Sequence, residues 1–288
     1  MNSNLKLRYF IATIAIVAAM LTISTRTCLA DQATDAYDRA MKQLQEEKLN
    51  DALNSIVAAY RADRSNRKYS QEYMLLRQII QIRGQIDSTR DARRWAWMAR
   101  VLHTYYLQKQ MLEPAVDIAK KMHARTPSTH SAATLADALL AVERPGEAAE
   151  MLALLDVEKH TASTRALQVL SLAAAEKLDE AKNVAAKEFA MPESPGATVL
   201  YRASRMYLAL GEQDEALKTL TRCFESVAPS RLDAFKLMVS SKSEFKSLAD
   251  SSKLAEVMKV KSKITESDCS GGSSCSGCPR RGKCPGSR

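Results

Sequence analysis

Four cysteines crowd the end of this chain. Cys269, Cys275, Cys278 and Cys284 are spaced C-x5-C-x2-C-x5-C. The inner pair, separated by Ser276-Gly277, suits a tight turn that aims both sulfurs at one point. Three arrangements fit this spacing. Four thiolates bind Zn²⁺ tetrahedrally, with the x5 gaps longer than the usual spacing but still within reach. Alternatively, an oxidising compartment joins the four cysteines as two disulfides, in any of three pairings. In the third arrangement the segment stays disordered, and Arg280, Arg281, Lys283 and Arg288 touch an anionic surface. Residues 269–288 hold no aliphatic or aromatic side chain, so they cannot bury enough surface to fold alone. Pro279 stands where haem attachment through C-x-x-C-H needs a histidine, and no βαβ pattern surrounds the C-x2-C as a thioredoxin-like motif requires.

The rest of the chain offers little chemistry. His103, His123, His130 and His160 are scattered, and none belongs to an H-E-x-x-H or a close Cys-His pair. Ser243 and Lys246 form a bare S-x-x-K without the S-D-N and K-T-G partners that the β-lactamase motif needs. The body glycines, Gly84, Gly146, Gly196 and Gly211, stand at least 15 residues apart, which excludes a glycine-rich phosphate loop. Cys223, beside Phe224, fits a small buried hydrophobe. No catalytic residue is predicted, and the chain reads as non-enzymatic.

The N-terminus addresses the chain. Lys6 and Arg8 precede an apolar run from Tyr9 to Ile23, and Cys28-Leu29-Ala30 follows. This is the basic, apolar, small-residue order of a secretory signal peptide. The run is shorter than the ~20 residues of a membrane-spanning helix. Cleavage after Ala30 is predicted, with retention as an anchor the alternative, which places the mature protein in the periplasm or outside the cell.

Charge is distributed unevenly. Residues 61–100 carry ten Lys/Arg and four Asp/Glu, and residues 253–288 carry eight and three. An exported protein rarely meets nucleic acid, so none is expected as a partner. The two zones fit either an anionic envelope surface or an ordinary solvated helix face.

The body must position whatever the tail and these zones do, and its composition is helical. Ala and Leu are abundant, and aromatic residues are 6%. Strand-like alternation is absent over any useful length, whereas Trp97–Leu107 and Ala197–Leu210 show helical spacing of apolar residues. One short pattern recurs, an acidic residue shortly before an alanine that opens an amphipathic helix. It appears as Leu49-Asn50-Asp51-Ala52, Leu112-Glu113-Pro114-Ala115, Pro145-Gly146-Glu147-Ala148, Leu178-Asp179-Glu180-Ala181 and Gln213-Asp214-Glu215-Ala216. The alanines are 63, 33, 33 and 35 residues apart. A small residue there lets the second helix of a pair cross the first closely, and the acids suit that helix's N-terminal dipole. Over residues 33–230 the chain resembles the tetratricopeptide repeat (TPR) family, whose period is about 34 residues.

That resemblance implies an all-α, TPR-like α-solenoid of antiparallel helix pairs. Residues 66–95 should hold a further unit, but Gln85 falls where the anchor alanine is due. We therefore expect a degenerate unit with a helix over Tyr73–Ile82. Leu232–Val239 and Leu254–Val260 read as capping helices, since a repeat stack exposes an apolar end face unless something covers it. The domains expected are a signal peptide at 1–30, the repeat domain at 31–264 and the Gly/Ser/Cys-rich basic tail at 265–288. The family works through a groove lined by the first helix of each pair. In this chain that face would include Tyr37, Trp97, Arg100, His130, Tyr201 and Arg205, aromatic and Arg positions suited to binding a protein or peptide. The competing reading packs Trp95 or Trp97 between helices. The expected function is an exported scaffold for protein–protein interaction. The alternative is a metal-binding or thiol protein acting through the tail cysteines, with zinc the cofactor to consider.

Overall fold

A computed structural model describes residues 31–240, 242–246, 248 and 251–264. Side chains of Ser243 and Lys246 are not among them. Residues 1–30, read above as a signal peptide cleaved after Ala30, and the four-cysteine tail, with the metal or disulfide arrangements predicted for it, lie outside the described residues. Every regular element among the described residues is helical. The chain divides into two compact units, the first ending at Thr126 and the second beginning at Pro127.

Unit 1 holds α1 (31–45), α2 (Leu49–Ala62), α3 (Arg67–Ile86), α4 (Ala92–Gln108) and α5 (Leu112–Arg125). Ala40 and Leu44 of α1, Ile56 of α2, Leu76 and Ile79 of α3, Met98 and Leu102 of α4 and Ile118 of α5 form one apolar core. Unit 2 holds α6 (Thr129–Ala141), α7 (Pro145–Ala153), a 3₁₀ turn (Val157–Lys159), α8 (Ala162–Ala174), α9 (Leu178–Glu188), α10 (Ala197–Ala209), α11 (Gln213–Glu225), α12 (Pro229–Ser240), α13 (Ser243–Lys246) and α14 (Ser252–Val257). The last three helices cover the α10–α11 pair. Leu232, Val239, Phe245, Leu248, Leu254 and Val257 share one core with Leu200, Leu220 and Phe224.

The repeated pattern acts at one place in each pair. Ala52, Ala115, Ala148, Ala181 and Ala216 are each the fourth residue of α2, α5, α7, α9 and α11, and all are buried. Each of these helices has an acid in its first turn, where the helix dipole favours it. Pro145 opens α7, where a missing N–H costs nothing. On the first-helix side, Ser128 caps α6 reciprocally with Ser131, and Thr161 caps α8 with Thr164.

The turns within the pairs are built alike. Glu47, Gln110, Glu143, Glu176 and Gly211 all have positive φ, between 57° and 84°, and each lies two residues before the second helix begins. The next residue's N–H then donates to the carbonyl five residues back, as in Lys48 to Gln43, Met111 to Tyr106, Arg144 to Leu139, Lys177 to Leu172 and Glu212 to Tyr207. This is the Schellman helix end, which favours glycine at its left-handed position. Only one of these five turns has glycine there; Glu or Gln holds the strained position in the others.

The expected degenerate unit takes a different form. Two full repeats between Ala52 and Ala115 would place three helices between α2 and α5. The structure places two, because α3 runs unbroken for 20 residues in place of a pair. Neighbours remain antiparallel throughout unit 1. The start of α2 lies beside Ile80–Gly84 at the end of α3, Glu72 early in α3 pairs with Lys109 just past α4, and Arg125 ending α5 reaches Trp95 early in α4.

Candidate functional site

Trp97 and Arg100 come together on α4, three residues apart and both exposed. They line an open groove of about 290 Å³ with Val101, Thr104, Tyr105 and Gln108 of α4 and with Leu75 and Ile79 of α3. Ile79 and Tyr105 are almost fully buried, while Trp97 keeps 46% of its surface exposed. Met74, next to Leu75, is 61% exposed. The tryptophans divide their roles. Trp95 is buried, with the Arg125 guanidinium 4.7 Å from its ring centroid, and Trp97 faces outward. Arg125 is fixed there by donating to the carbonyls of Thr89 and Arg90.

The groove is bounded at one end by a sequestered charge pair. Lys109 Nζ lies 2.6 Å from Glu72 Oε1, and both side chains are largely buried. The hydroxyl of Tyr105 is buried without a hydrogen-bond partner among the described residues, and burial pushes its pKa well above the ordinary phenol range. Tyr37, on α1, packs elsewhere in unit 1. Its ring lies 5.3 Å from that of Tyr69, and Lys68 Nζ sits 4.2 Å from its centroid.

The remaining residues predicted for the groove belong to unit 2. His130 is exposed near the start of α6. Tyr201 and Arg205, both on α10, are drawn into packing. Tyr201 stacks against Phe245 at 6.5 Å and meets Phe235 edge-on at 5.4 Å. Its hydroxyl is buried without a hydrogen-bond partner among the described residues, and burial raises its pKa to about 12. Arg205 is buried, and its Nε donates to Glu244 Oε1 at 2.6 Å while its Nη1 lies 3.3 Å from Asp137 Oδ1. Its charge is therefore committed inside the unit.

Arg202, one turn away, completes a network. Its Nε donates to Asp137 Oδ2 at 3.1 Å, and it also donates to Ser163 Oγ. Two guanidiniums and two carboxylates thus tie together α6, α8, α10 and α13. Burial works to raise the Glu244 carboxyl, but the Arg205 charge and its hydrogen bond override this and hold it below the usual carboxylate range. Cys223 is buried, its Sγ 3.2 Å from the Ala197 carbonyl oxygen, and burial pushes its thiol up to about 12. An inert, packed thiol matches the role expected of it.

Sequence reasoning missed two parts of these sites. Leu75 and Ile79 lay within the stretch assigned to a degenerate unit, although Met74-Leu75 followed by Ile79-Ile80 is a second apolar stripe that could have marked them. Asp137, Arg202 and Glu244 had no local signal, because the partners are 65 and 39 residues apart. No three of His, Cys, Asp and Glu come together as a metal-binding set among the described residues. No described helix is long and apolar enough to cross a membrane.

No protein-family profile matches the chain, and no characterised protein matches it either. Among solved structures it is similar to a thermophilic TPR protein from Thermus thermophilus, at 19% identity over 72% of this chain and 97% of that one, with a TM-score of 0.35. A superposition that loose carries no weight here. The TPR-like character rests on this chain's own helix pairs, its buried anchor alanines and their spacing.

Proposed function

We propose that this chain is an exported, non-enzymatic scaffold that captures a protein or peptide partner, and that capture runs through the α3–α4 groove. One observation carries the reading. Trp97 is half exposed beside an exposed Arg100, over an apolar floor with room for a partner's side chains. Aromatic and Arg residues are the usual anchors of protein recognition. The groove walls belong to packed helices, so little ordering entropy opposes binding.

Site-specific photo-cross-linking tests this. A photoreactive residue at Thr104, inside the groove, should trap a discrete partner, and one at the exposed Glu150 on α7 should not. Arg100→Ala should abolish the Thr104 adduct with helicity unchanged. Equal adducts at both positions would remove the groove reading. Export has its own test, the mass of the mature protein from the extracytoplasmic fraction. A chain beginning at Asp31 is expected, and one retaining residues 1–30 would overturn it.

A further inference from the structure

We propose that the α3–α4 groove receives an acidic amphipathic helix of a partner protein, laid along α4; this rests on the scaffold reading above and names its partner class. The groove is elongated. Its α4 wall runs from Trp97 through Val101 and Thr104 to Gln108, a stripe spanning twelve residues, or about 16 Å of helix. Leu75 and Ile79 form the α3 wall one turn apart. A trough of about three turns between two antiparallel helices suits a third helix presenting anchors at i, i+4 and i+7.

Charge selects the partner's sign. Together α3 and α4 carry seven Arg and Lys but one acid, Glu72, which Lys109 already neutralises. Arg93 and Arg100 lie four residues before and three after Trp97, so they are its neighbours on the helix surface. Both are exposed and make no ion pair among the described residues. Carboxylates flanking an apolar stripe would meet these cations, whereas a basic helix would be repelled. The apolar floor is recessed, with Ile79 and Tyr105 buried beneath Trp97 and Leu75. An occupant must reach in with protruding side chains, which favours a helix over a flat anionic membrane.

The test uses the full chain and three labelled 18-residue peptides. One has a Leu/Phe stripe flanked by Glu, the second has the same stripe flanked by Lys, and the third scrambles the stripe of the first. Phosphatidylglycerol vesicles form a separate arm. The Glu peptide should bind at least about tenfold tighter than either control, which is about 1.4 kcal/mol, weaken with salt, and shift Trp97 emission to the blue. Trp97→Ala should weaken it about tenfold, and Arg100→Glu should move the preference toward the Lys peptide. Equal binding of the Lys peptide, vesicle binding without Glu-peptide binding, or no peptide binding would each overturn the proposal. If the Thr104 adduct forms while the Glu peptide fails, the scaffold reading survives and this proposal falls. If the adduct itself fails, the scaffold reading falls with it.

Discussion

The left-handed residues in the turns should limit this protein's stability, and replacing them should show it. At Glu47, Gln110, Glu143 and Glu176 a side chain with a Cβ sits at φ near 60°. For an L-residue that conformation costs roughly 1–2 kcal/mol relative to the right-handed region. Glycine escapes this but loses about 0.5–1 kcal/mol more backbone entropy on folding. The net gain expected from Glu143→Gly or Glu176→Gly is therefore about 0.5–1 kcal/mol each. All of these side chains are exposed, and among the described residues none of the four makes an ion pair that the substitution would break. Glu143 and Glu176 lie in separate turns, so their gains should add. Gly211 supplies the reverse experiment. A Cβ placed there meets nothing within 4 Å, so Gly211→Ala should lose about 1 kcal/mol through its φ of 84° alone. Charge is a competing explanation for the glutamates, since each lies past one helix end and before another helix start. Glu143→Gln should change stability by less than about 0.5 kcal/mol, and the uncharged Gln110 should gain from glycine as Glu143 does. Urea unfolding followed by far-UV circular dichroism measures all of these as midpoint shifts at constant slope. A neutral Gly211→Ala, or a Glu143→Gly that destabilises, would refute the dihedral argument.

Three further outcomes follow from the charge network and the tail. Arg205→Ala should destabilise the protein by about 2–4 kcal/mol, because it leaves Glu244 and part of Asp137 uncompensated. Glu244 has its folded pKa lowered, so its contribution is present above about pH 4.5 and fades as pH falls through the lower folded value; Glu244→Gln should flatten the acid limb of the stability curve, and an unchanged limb would count against the pairing. In the tail, thiol counting and metal analysis of the full-length protein against a chain ending at Ser267 should show bound zinc or two disulfides only in the former; four free thiols with no metal would dismiss both arrangements.

The helix pairs were legible because each crossing needs a small residue and each second helix tolerates acids at its start, so Ala52, Ala115, Ala148, Ala181 and Ala216 announced themselves at fixed offsets. The left-handed turns were not, because glycine marks that conformation and four of the five turns lack it. Trp97 and Arg100 were legible as an aromatic and a cation on one helix face. Their groove was not, because its second wall is α3, which departs from the repeat at Gln85. Arg205 showed the opposite effect. Sequence spacing put it on a binding face, but only long-range contacts reveal that Asp137 and Glu244 already claim its charge.

The single helix α3 acts on unit 1 as a frameshift acts on a reading frame. Hairpins inserted or deleted whole leave the direction of everything downstream unchanged, because each returns the chain to its starting side. One unpaired helix inverts it. Ala52 and Ala115 therefore carry the same local signature on helices that run in opposite directions, and Tyr37 and Arg100, each 15 residues before its anchor alanine, are not equivalent in space. Deleting a 34-residue repeat would leave this inversion in place, whereas excising α3 alone would force the α4–α5 hairpin to turn over.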